Sequence, residues 1–234
     1  MAMGFTTPGG CGLYSKPVSG CYAMKKNILV ALALALAALA SLIIWHRSGP
    51  VMDMRPSSAL GEVLAREAET MLGGAGNIVV IGRAADRDNA TAGGKQIQSI
   101  TAALGNRSSL KLIATEWLPP EPSSMMRSGS VTADQLLDLI EKYPAAGVFV
   151  VFAGLPPLSP AITENLKSHP VKLMAVCGYS MNTKAWLQEG VLMAAVIPRF
   201  AELPSGSPAP KTTQDWFSQE FAMLTPDNAG QWPF

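Results

Sequence analysis

Five short, mostly apolar runs constrain this chain more than any other feature: Ile78–Ile81, Leu110–Thr115, Gly147–Phe152, Val171–Val176 and Val191–Ile197. A strand with one face in water alternates apolar and polar residues. These runs do not alternate, and GVFVVF at 147–152 contains no polar side chain at all. Such strands are covered on both faces, which is the pattern of a parallel sheet packed between helices. The intervening segments have helical spacing. Leu60, Val63, Leu64, Ala68 and Leu72 share one face of 57–72, with Ser57 or Ser58 as cap and Gly73-Gly74 as stop. Helices are also expected at 96–104 (Ile97, Ile100, Leu104 inward), 132–143 (capped by Thr132), 160–168 (opened by Pro160) and 182–189. Right-handed crossovers then give an α/β fold, an open, doubly wound, mostly parallel sheet of about five strands with helices on both faces. Leu203–Thr213 reads as a Pro/Ser linker, and Phe221–Leu224 as a closing strand or helix.

A sixth apolar run is of another kind. Ile28–Trp45 spans 18 residues in which Ser41 is the only polar one. As a helix it is about 27 Å long, close to the roughly 30 Å of a bilayer core. Lys25 and Lys26 precede it, so the expected orientation is N-terminus inside and C-terminus outside. The expected organisation is a cytoplasmic leader at 1–26, a transmembrane anchor at 27–45, a polar tether at 46–56 and an exported domain at 57–230. Ala38-Leu39-Ala40 also resembles a signal-peptide cleavage site. Cutting there leaves Leu42–Trp45 apolar on the new terminus, which favours the uncleaved anchor. MKKN at Met24 resembles the start of a secreted or anchored bacterial protein. The localisation expected is therefore a bacterial inner membrane, single-pass, with the C-terminal domain periplasmic or extracellular. Lys and Arg number 18 against 17 Asp and Glu, a net charge of +1. That balance argues against a nucleic-acid partner dominated by phosphate contacts. Three cysteines are too few for a disulfide scaffold.

The exported part resembles a known family. GEVLAREAETMLGGAGNIVVI (61–81), LLDLIEKYPAAGVFVVF (136–152), VKLMAVCGYSMNTKAWLQEGVLMAAVIP (171–198) and FAMLTPDN (221–228) follow in the order of the second lobe of type 1 periplasmic solute-binding proteins. The resemblance implies an α/β lobe of the sugar-binding type. It also implies where the family's sugar-binding polar groups would stand. Its Asn-Asp after the third strand is replaced by Phe152-Ala153-Gly154. The turn after the fourth, usually with Asp, is Cys177-Gly178-Tyr179, and the family's Arg aligns with Gln96. The first lobe has no counterpart before Gly61, so one lobe alone is expected.

In an open parallel sheet, ligands bind outside the carboxyl ends of the strands. Arg83, Asp86 and Arg87 are expected there after the first strand, and Glu116 and Trp117 after the second. Tyr179 and Ser180 follow the fourth, and Arg199 and Phe200 the fifth. Trp117 and Tyr179 can stack on a ring, and Arg83 and Arg199 can hold a carboxylate through paired donors. The bland alternative is a set of ordinary polar loop ends, with Trp117 packing locally. The candidate ligand-binding set is thus Arg83, Asp86, Glu116, Trp117, Tyr179 and Arg199.

Catalytic chemistry has little to draw on. A nucleophile needs a base, and the one candidate base in the exported part, His169, sits at the opposite end of a strand from Cys177. Ser180 lacks the second glycine of a nucleophile elbow. Gly73-Gly74-Ala75-Gly76 precedes its strand, whereas a dinucleotide fingerprint follows one. No Cys/His cluster has metal spacing, so neither cofactor nor metal is expected. The expected function is a non-enzymatic, membrane-anchored domain resembling one lobe of a solute-binding protein and taking a small polar solute. The alternative is a structural or adaptor protein that uses the lobe to hold an envelope protein partner.

Overall fold

The computed structural model of the chain describes residues 32–41, 53–88, 91–119, 130–177, 181–199 and 209–231. Contacts divide it into two units, Met1–Met52 and Asp53–Phe234. In the first unit, residues 32–41 form a helix, α1, on which Leu32, Leu34, Leu36 and Leu39 are exposed. Among the described residues no helix is long and apolar enough to cross a membrane. The rest of the apolar run lies outside the described residues, so the expected span 27–45 is described only in part, at 32–41.

The second unit is a three-layer α/β/α body. Its elements in order are α2 (Arg55–Leu72), β1 (Gly76–Arg83), α3 (Ala92–Gly105), β2 (Leu110–Leu118), α4 (Ala133–Lys142), β3 (Val148–Val151), α5 (Pro160–Ser168), β4 (Lys172–Val176), α6 (Met181–Gln188), β5 (Leu192–Pro198), α7 (Thr213–Glu220) and β6 (Phe221–Leu224). The sheet order is β2-β1-β3-β4-β5-β6. The first five strands are mutually parallel, and β6 is antiparallel to β5. The sheet therefore has one strand more than the expected five. The sequence FAML is too short to distinguish helix from strand by periodicity, and pairing with β5 decides it.

Alternate residues of each strand feed two cores. Val79, Ile81, Phe149 and Val151 pack with Leu136, Ile140, Leu166, Trp186 and Leu187 from α4, α5 and α6. Ile78, Val80, Val148 and Val150 pack with Leu60, Leu64, Ile97, Ile100 and Phe217 from α2, α3 and α7. Both cores close within Asp53–Phe234, so this unit has what a domain needs to fold alone. Strand order reverses between β1 and β3, the place where doubly wound folds open a crevice at the carboxyl edge.

Several element ends differ from expectation for local reasons. α2 starts before Ser57 and Ser58: Met54 is its N-cap residue without a side-chain cap, and a proline stands in the first turn. Gly73, at φ 71°, ends it in the left-handed conformation that glycine adopts without strain. α3 begins at Ala92 rather than 96, because Thr91 caps it by accepting from the Gly94 N–H. α4 keeps the expected Thr132 cap, completed as a capping box by Gln135. α7 falls where only linker and tail were expected; Thr212 and Asp215 form a second capping box.

Candidate functional site

The carboxyl edge of the sheet is built first by the turn after β1. Asp86 is 2% exposed and would be costly to bury unpaired. Arg83 Nε donates to its Oδ2 at 2.6 Å and the Thr91 hydroxyl to its Oδ1 at 2.9 Å. Thr91 in turn accepts from Gly94 N at 2.9 Å, so one relay ties β1, the turn and the first turn of α3 together. Glycine is required there. A Cβ on Gly93 would stand 2.7 Å from the Asp86 carboxyl carbon, and one on Gly94 2.5 Å from the Asp88 carbonyl oxygen. The Asp86 carboxylate thus sits against the N-terminal turn of α3, where a helix would otherwise favour an external anion. Thr91, Gly93 and Gly94 were not anticipated as part of this edge. Thr-Ala-Gly-Gly ahead of a helix carries the capping signal, but glycine's low helix propensity conceals it.

Glu116 and Trp117 belong to β2 itself, which extends to Leu118 instead of ending at Thr115. Glu116 pairs with Ile81 and Trp117 with Gly82 in the β1 ladder, so the two side chains leave opposite faces of the sheet. On the α4 side, the Lys142 ammonium donates to Glu116 Oε1 at 2.7 Å and the Tyr143 hydroxyl donates to the same oxygen. The Lys142 bond, and after it the Tyr143 bond, holds the Glu116 carboxyl below its ordinary pKa; the same pairing raises Lys142 and Tyr143. On the other side, the indole of Trp117 covers Gly82. A Cβ on Gly82 would meet Trp117 Cζ3 at 2.8 Å and Ile97 Cδ1 at 2.5 Å.

The exit of β3 is apolar and closed. Phe152, Ala153 and Leu155 are buried. The incoming chain seals them: Ser130 bridges to Gly154, and the Val131 N–H donates to the Gly154 carbonyl at 2.9 Å. Trp186 Nε1 donates to the Pro156 carbonyl at 2.9 Å and fixes the same segment to α6. After β4, Cys177 is buried with its thiol 3.4 Å from the Thr183 hydroxyl. Burial pushes that thiol up, which keeps it protonated. His169 lies at the start of β4 and Cys177 at its end. After β5, the Arg199 backbone N–H donates to Glu220 at 2.8 Å while its side chain is exposed.

Of the six expected ligand-binding residues, the edge joins Arg83 to Asp86 directly. Glu116 bonds instead to the last turn of α4, and Trp117 packs on α3's side. Arg199 directly follows β5, three strand spacings from β1, which carries Arg83, about 14 Å across the sheet. Tyr179, with Ser180 and Phe200, lies outside the described residues. Two described clefts lie away from these groups. One of about 660 Å³ runs between α5 and α6 beside Ser159, Thr163 and Ala185. One of about 580 Å³ lies between α2 and α7, where the Arg55 guanidinium stacks 4.2 Å from the Trp216 ring centroid. Among the described residues no group of His, Cys, Asp and Glu forms a metal site.

No protein-family model matches the chain, and no curated protein matches its sequence. Solved structures do match its fold. The arabinose-binding protein AraP of Geobacillus stearothermophilus is 12% identical with a TM-score of 0.51, covering 76% of this chain and 63% of its own. The sugar-binding protein of a sugar ABC transporter from Bacillus halodurans is 12% identical with a TM-score of 0.52, covering 76% and 64%. The chain thus spans less than two thirds of the length of the structures it matches, and the likeness is one of fold.

Proposed function

We propose that this chain, which carries the fold of ABC-transporter sugar-binding proteins, is a non-enzymatic recognition domain for a small polar solute. The shared fold carries this proposal, because it brings with it a carboxyl edge at a reversal of strand order. Arg199 supplies an exposed cationic donor there, and Arg87 another after β1. Titrating residues 53–234 with pentoses, hexoses, amino acids and nucleosides in a thermal-shift assay tests it. A saturable rise in Tm with one class, lost in Arg199→Ala, is expected; no rise with any compound moves the assignment to the second reading.

That second reading is an adaptor of the cell envelope. The observation favouring it is how completely the edge satisfies itself: Arg83 on Asp86, Glu116 on Lys142 and Tyr143, and an apolar seal over β3. A surface of this kind suits a protein partner better than a sugar, which needs several directed hydrogen bonds.

Under either reading, residues 27–45 anchor the domain in a bacterial inner membrane with the domain outside. The apolar length of the run supports this, as do the exposed leucines of α1. Retention in the membrane pellet after alkaline carbonate extraction, and release on deleting 27–45, is the expected result. Recovery of the intact chain as a soluble species contradicts it.

A further inference from the structure

From the outer edge of the sheet we infer that the α/β domain pairs with a second copy of itself through β2, in an antiparallel register centred between Ile113 and Ala114. β2 is an edge strand nine residues long, Leu110–Leu118, and contains no proline. Among the described residues only β1 pairs with it. Edge strands are usually protected by charge, proline, brevity or a bulge; this one carries Lys111, Glu116 and one bulge, and the bulge sets the register of pairing rather than preventing it.

The register follows from a bulge. Pairing with β1 shifts between Ile78 and Val79, so that Leu112 meets Ile78 and Ala114 meets Val79, with Ile113 as the extra residue. Leu110, Leu112, Thr115 and Trp117 consequently take the α3 face, opposite Gly76, Ile78, Val80 and Gly82. Lys111, Ala114 and Glu116 take the α4 face, opposite Asn77, Val79 and Ile81. Ile113 packs, like Ala114, into the core on the α4 side. Read from 110 to 117, the faces form a palindrome about the point between 113 and 114. Residues directly opposite in an antiparallel pair must share a face. Self-pairing about that point satisfies this at all eight positions, and slipping by one residue breaks it.

The same register sets Lys111 opposite Glu116 of the second copy, twice by symmetry. Lys111 is exposed and has no partner among the described residues. Glu116 uses Oε1 for Lys142 and Tyr143, and among the described residues its Oε2 has no partner. Leu110 then meets Trp117, and Leu112 meets Thr115. One sheet of twelve strands results, with isologous contacts.

Sedimentation velocity on residues 53–234 tests the pairing. The expected result is a concentration-dependent dimer, with Lys111→Glu and Glu116→Lys each weakening association by about tenfold or more through like charges set opposite. An equimolar mixture of the two variants restores the dimer, because both cross-strand pairs are again opposite in sign. Circular dichroism checks each variant's fold, and if Glu116→Lys fails it, Lys111→Glu alone decides. A wild-type domain that stays monomeric at every concentration, or a dimer that Lys111→Glu leaves intact, overturns the inference.

Discussion

At the scale of residues, charge is placed to hold the domain's own loops. Asp86 is nearly sealed from solvent, and its two oxygens bind Arg83 and Thr91. Asp86→Ala leaves Thr91 and the Arg83 guanidinium without their acceptor and frees the turn after β1. A loss of about 2 kcal/mol in chemical denaturation is expected. Arg83→Ala costs less, because that side chain is 41% exposed and water replaces part of the bond. Glu116 gives a pH signature. Its pairing with Lys142 and Tyr143 lowers its folded-state pKa, so the pairing stabilises the fold above the unfolded-state value. The benefit fades as pH falls through the folded-state value. Glu116→Gln is therefore less stable than wild type at pH 7, and the gap is smaller at pH 4, below the unfolded-state value. Urea denaturation at both pH values measures it. These pairings were not legible in the sequence. Arg83, Asp86 and Glu116 are recognisable as edge residues by their positions after apolar runs. What they bind is set 3, 5, 26 and 27 residues away, by a turn and by helix packing.

At the scale of elements, the parallel strands were legible because burial on both faces leaves no polar alternation to misread. Their ends were not. β1 and β2 run on into Arg83, Glu116 and Trp117, residues that a search for apolar runs discards although the ladder accepts them. α7 was missed because TQDWFSQE buries only Phe217 and the rest of its surface is polar or half exposed. Its capping box was the available signal. The crossing of α2 and α3 depends on one glycine. A Cβ on Gly61 would stand 2.4 Å from the Ser99 carbonyl carbon, which is backbone and cannot rotate aside. Gly61→Ala must push the helices apart and is expected to cost about 2 kcal/mol despite alanine's better helix propensity. A thermal melt showing stabilisation instead would mean that the two helices are not held in this contact.

At the scale of the whole molecule, the fold was legible as an ordered series of helix and strand segments, and the solved sugar-binding structures share it. The chain enters the domain at α2, which runs antiparallel to β1, so its first turn stands at the carboxyl edge. Recognition of a solute by this domain rests on that carboxyl edge. The most direct test is a heteronuclear NMR spectrum of residues 53–234 recorded against a panel of pentoses and hexoses. Saturable shifts confined to the amides after β1 and β5, around Arg87 and Arg199, are expected. Spectra unmoved by every sugar, or shifts gathered in the cleft between α5 and α6, would contradict it.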